Sequence, residues 1–184
     1  MYTKTALNNG LRIITSTMPH SRSVCLAILV GAGSCYESKE EAGVSHFAEH
    51  LFFKGTQQRP TSKEISQDIE GVGGIINGST DKEVTIFWCK VASSHFPIAL
   101  DVLSDLLLNS RFDNKDIEQE RPVIMEEINM NLDIPQQRVN TLIDELLWPE
   151  QPLGREVTGY KETVPSITRE RLLNYVACRY MPNN

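Results

Sequence analysis

His46 and His50, with Glu49 between them, restrict what this chain can fold into more than any other stretch. On a helix, residues four apart stack one turn over the other, so both imidazoles of the Val44–Lys54 segment can reach a single ion. Two imidazoles are half of a metal site, and a stable zinc site takes at least three protein ligands. The fold must therefore carry a third ligand across this helix from a distant segment. A zinc ion held by two neutral imidazoles and a carboxylate keeps a position open for water. Glu49, beside the pair, is then the carboxylate that can take a proton from that water during attack on a carbonyl.

Histidine pairs at this spacing are common on solvated helix faces, and the intervening carboxylate sets this one apart. The order His-x-x-Glu-His inverts the His-Glu-x-x-His arrangement of thermolysin-type peptidases and is the inverzincin signature. A third ligand is available in the acidic run Glu118–Glu127, which holds four carboxylates. Glu120 and Glu127 are seven residues apart and return to nearly the same helix face, whereas Glu126 lies about a quarter-turn from Glu127. Spacing leaves both Glu126 and Glu127 open as the ligand. Mixed imidazole and carboxylate ligation also leaves manganese and cobalt open beside zinc.

Around this pair the chain reads as α+β, a mixed and mostly antiparallel sheet covered by helices. Strands are expected at Leu11–Thr17 after an Asn9–Gly10 turn, at Val24–Val30 as a buried strand, and at Ile75–Thr80 and Glu83–Val91 as a hairpin. Helices are expected from the His46 segment; after Thr61, with Glu64 completing a capping box; over His95–Asn109; and from Asp113 to Asn131, with Pro122 loosening a turn. Two more follow, over Gln136–Leu147 and after Thr168. With 184 residues, one domain is the default. The net charge of −6 argues against nucleic acid or an anionic membrane as partner. No apolar run is long enough to span a bilayer, and Met1–Arg12 lacks the apolar centre of a signal peptide. Cys25, Cys35, Cys89 and Cys178 form no Cys-x-x-Cys pair and read as reduced core thiols of a cytoplasmic compartment, or a mitochondrial matrix-like one in a eukaryote.

The stretches His46–Thr56, Gly73–Thr80 and Glu120–Ile128 together resemble the pitrilysin family of zinc metallopeptidases, which includes insulin-degrading enzyme and mitochondrial processing peptidase. The resemblance extends to Gln151–Gly154 and Tyr180–Asn183, and is nearest to bacterial relatives of the processing-peptidase β subunit. It implies that His46, His50 and Glu127 hold one zinc ion and that Glu49 is the general base. Glu120 would orient a histidine ligand from behind and so belong with the catalytic set. Asn77 would lie on a strand edge that pairs with extended substrate. Where the family usually has Ala after that Asn, this chain has Gly78.

The resemblance further implies a zinc-dependent endopeptidase acting on extended or unfolded peptides. Such proteins are about twice as long, with a second homologous half-domain or partner subunit completing a chamber. Residues 1–184 would be the N-terminal zinc-binding domain, cut short at its C-terminal end and weakly active alone. The alternative is a noncatalytic structural or chaperone-like subunit of the same fold.

Overall fold

The computed structural model describes residues 2–184. A hairpin opens the chain, β1 (Tyr2–Ala6) pairing antiparallel with β2 (Arg12–Ser16). Gly10 turns it with φ +91°, a conformation that costs glycine little, and Asn9 accepts the Leu11 N–H. A second sheet has the order β3–β5–β4, from β3 (Ser23–Val30), β4 (Ile75–Thr80) and β5 (Thr85–Ala92), again antiparallel throughout. Among the described residues six α-helices accompany the two small sheets; they cover the second, while β1 and β2 are exposed throughout, and the fold is α+β as expected.

The central strand β5 alternates cleanly, burying Thr85, Phe87, Cys89 and Val91 on the face that meets the helices. Two expectations fail at the sheet edge. Val24–Val30 is not buried on both faces: Val24, Leu26 and Ile28 pack on the core, while Cys25 and Leu29 face outward. An edge strand covered on one face only can carry an apolar run and still be half exposed. For the same reason Cys25 is exposed, and Cys178 is exposed on its helix; of the four unpaired cysteines only Cys89 is buried.

Helix α1 (Val44–Phe52) packs on this sheet at β4 and α3 (Phe96–Asn109) at β5, and eight of the nine residues of α1 are buried. Phe52 anchors it with edge-on contacts to Phe87 and Phe112, both at 5.1 Å between ring centres, and a tilted one to Tyr180 at 5.0 Å. No side chain at the N-cap, Gly43, closes the first turn of α1. Glu37 does so from six residues upstream: its carboxylate accepts the Gly43 and Ser45 N–H groups, each at 2.8 Å, and the Ser45 hydroxyl. Gly43 has φ +97°, and a Cβ there would meet the Thr158 carbonyl and Gly159 Cα at 2.9 Å, so only glycine lets this corner close.

Helix α2 (Ser62–Glu70) shows the Thr61–Glu64 capping box in both directions. Helix α4 (Asn114–Asp133) stays helical through Pro122 and buries Ile117, Glu120, Ile124 and Ile128. It ends at Ile134, extended as residues before a proline are, and α5 (Pro135–Leu147) starts there. Thr168 caps α6 (Arg169–Arg179). Arg121 fixes α4 against α1: its guanidinium donates to the Val164 and Ile167 carbonyls and stands over the Phe47 ring at 5.5 Å.

Because Glu37 satisfies buried donors of α1 with a charged acceptor, Glu37→Ala is expected to lower unfolding stability by about 3 kcal/mol. A urea titration followed by circular dichroism measures it.

Candidate metal centre

Across the buried seam between α1 and α4, the two helices run antiparallel and their polar stripes face each other. His46 Nε2 lies 3.6 Å from Glu127 Oε1, and His50 Nε2 lies 3.6 Å from Glu127 Oε2. The two Nε2 atoms are 3.1 Å apart. On the other side of the His50 ring, Nδ1 is 2.8 Å from Glu120 Oε1. A carboxylate can only accept, so the His50 proton sits on Nδ1 and its Nε2 presents a lone pair. One ligand atom from each of His46, His50 and Glu127 falls within 4.8 Å of the others. A proton on His50 Nε2 can bridge the two rings, and when that proton is absent the three groups offer a donor set that suits a divalent ion accepting nitrogen and oxygen.

Electrostatics prepare the pair for this. Burial, helped by the neighbouring His50, lowers the His46 pKa to about 3, so the ring is neutral at physiological pH. Burial also resists charge on His50, but its hydrogen bond to Glu120 and the nearby Glu49 outweigh that and raise its pKa. Glu120 is itself buried, yet the bonds from His50 and Lys54 hold its carboxyl below the ordinary range.

Glu49 points from another face of α1, toward β4. Its Oε2 accepts the Thr80 hydroxyl at 2.9 Å, and burial raises its pKa against that bond. Gly78 lies over its other oxygen: a Cβ there would be 2.9 Å from Glu49 Oε1 and 2.8 Å from the Phe53 ring. The missing methyl thus gives both side chains room. Asn77 lies on the alternate face of β4, exposed, and its Oδ1 accepts the Gly78 N–H at 2.9 Å. It makes no contact with the His46, His50 and Glu127 cluster among those described.

The structure therefore brings together His46, His50, Glu127 and Glu120, sets Glu49 next to them, and holds Asn77 at the strand edge. The open choice at the acidic run is met by Glu127, the carboxylate that faces both imidazoles. Sequence reasoning missed Lys54, Thr80 and Glu37. Lys54 had a signal, since it continues the stripe His46, His50 at the same four-residue step; Thr80 and Glu37 act through tertiary contacts that no local pattern announces.

A helix pair presenting two imidazoles and a carboxylate beside an antiparallel sheet is a candidate centre for a divalent metal ion. Residues 12–161 match the model of the insulinase family, peptidase family M16. The chain belongs to that family. It is 37% identical over 175 residues to the uncharacterized zinc protease YmxG of Bacillus subtilis, covering 95% of this chain and 42% of the relative. To the probable mitochondrial-processing peptidase subunit beta of Arabidopsis thaliana it is 38% identical over 179 residues, covering 96% and 33%. A protease from Helicobacter pylori shares the fold with a TM-score of 0.94 at 20% identity, over all of this chain and 44% of that one. Pitrilysin superposes with a TM-score of 0.87 at 24% identity, over all of this chain and 20% of that one. The chain spans about two-fifths of the length of the bacterial relatives it matches.

A proton on His50 competes with a metal for the ring, and its pKa is raised, so divalent-ion affinity is expected to weaken as pH falls through that raised value. Chelator competition measured between pH 8 and pH 6 checks this; an affinity flat across the range would contradict it.

Proposed function

We propose that this chain is the zinc-bearing N-terminal domain of an endopeptidase acting on extended or unfolded peptides, with Glu49 as general base. The observation that carries the reading is the placement of Glu49 beside, but outside, the convergence of His46, His50 and Glu127. Zinc at those three residues supplies Lewis acidity toward a peptide carbonyl and toward water. Glu49 takes a proton from the attacking water and passes it to the leaving amine. Thr80 keeps the carboxylate aimed, and burial raises its affinity for the proton it must carry. Glu120 holds the His50 ring in the orientation and tautomer that coordination needs.

The sheet supports the choice of substrate. β4 is an outer strand, paired only with β5, and a further extended strand can add to its open edge. At this strand the exposed Asn77 side chain accepts the Gly78 N–H, a contact that a substrate strand added to the edge would displace. A peptide paired there runs past Thr80 and Glu49. Glycine at position 78 leaves the backbone approachable.

The zinc proteases among the relatives and their greater length support a second homologous half or partner subunit closing the site. Among the described residues no helix is long and apolar enough to cross a membrane. The unpaired cysteines favour a reducing, cytoplasm-like compartment.

In the whole protein, Glu49→Gln is expected to cut kcat at least a hundredfold while bound zinc is retained, measured by cleavage of an unfolded protein and by metal analysis. An unchanged rate would overturn Glu49 as the base, whereas freshly purified protein without zinc would favour the noncatalytic subunit. Thr80→Val removes a donor to the Glu49 carboxylate, which raises the Glu49 pKa further. The base must be ionised, so the acid limb of the kcat/KM profile should move to higher pH.

A further inference from the structure

The stripe on α1 does not end at His50. Lys54 lies four residues on, just past the helical residues, with its N–H donating to the Leu51 carbonyl so that the turn continues. His46, His50 and Lys54 thus project one above another. On the antiparallel α4, Glu127 faces His46 and His50, while Glu120 faces His50 and Lys54. The result is a ladder of three basic groups against two carboxylates.

We propose that Lys54 is a positioning residue of the metal centre, its ammonium holding Glu120 so that Glu120 in turn fixes the His50 ring. This rests on the zinc reading above. Glu120 has two oxygens and spends them on two partners: Oε1 accepts from His50 Nδ1 at 2.8 Å, and Oε2 pairs with Lys54 Nζ. Its side chain is 6% exposed, so water cannot readily replace a lost partner. A buried carboxylate left with one unpaired oxygen pays for desolvation and turns toward whatever donor or solvent it can reach. Any such turn withdraws Oε1 from His50, freeing the ring to rotate and to change tautomer. Lys54 thereby acts on the ion without touching it. Because it extends from the same helix as the two imidazoles, α1 supplies both ligands and the hold on the partner that aligns them.

The test uses the whole protein and zinc alone, with affinity from competition against a chromophoric chelator. Lys54→Met, of similar length and uncharged, is expected to weaken zinc binding about 10- to 100-fold, the usual cost of losing an outer partner of a ligand. Lys54→Arg keeps charge and donors and is expected to restore most of it. In a Glu120→Ala background, Lys54→Met should add nothing, because Lys54 acts through Glu120. In metal-free protein, imidazole nitrogen NMR should show His50 protonated on Nδ1 in the parent and a tautomer mixture in Lys54→Met. Zinc binding by Lys54→Met equal to the parent's would overturn the proposal, as would an equal loss in the Glu120→Ala background. If the parent itself binds no zinc, the metal reading falls, and the His50 tautomer still decides the role of Lys54.

Discussion

Everything near the candidate centre depends on how α1 lies against α4. Their polar stripes meet in a seam where His46 and Glu120 are buried and His50 and Glu127 partly so, and the buried Glu120 carboxylate finds both its partners on the opposite helix. That requirement fixes offset and rotation together, since sliding either helix by a turn would break the pairing of Glu120 with both His50 and Lys54. The rest of the fold serves this alignment. Arg121 ties α4 to two backbone carbonyls and to the Phe47 ring, Glu37 holds the first turn of α1, and the Phe52 aromatic cluster fixes its far end.

One short helix thereby carries three separate duties on its circumference. Its apolar side is core, with Phe47, Leu51 and Phe52 almost wholly buried. A second side, bearing His46 and His50, meets α4, and a third, bearing Glu49, meets β4. A helix buried all round has no solvent face to absorb substitutions. The division also keeps the proposed base apart from the metal ligands, so that a carboxylate beside the cation is not consumed as a ligand to it.

How legible this was follows from how local each determinant is. The stacking of the two histidines on one helix, the Thr61–Glu64 capping box and the alternation of β5 are written within a few residues, and the structure shows all three. The two same-face carboxylates Glu120 and Glu127 were also visible, as a seven-residue spacing. What could not be read depends on where distant segments land. Val24–Val30 carries the composition of a strand buried on both faces, yet its position at the sheet edge leaves Leu29 outside. Glu37 sits in a charged stretch that reads as a solvated loop, and only the tertiary fold turns its carboxylate inward onto α1. Choosing Glu127 over Glu126 likewise required knowing how α4 is rotated.

The distance between Glu120 and Glu127 along α4 has a consequence for how this segment can vary. Seven residues close nearly two full turns, which brings both carboxylates onto α1 within about 20° of each other. Deleting or inserting a single residue between them would swing one relative to the other by about 100°. The exposed Val123 between them is free to vary and Pro122 is accommodated, whereas Arg121 and the buried Ile124 are held by their contacts and the length of the stretch is frozen.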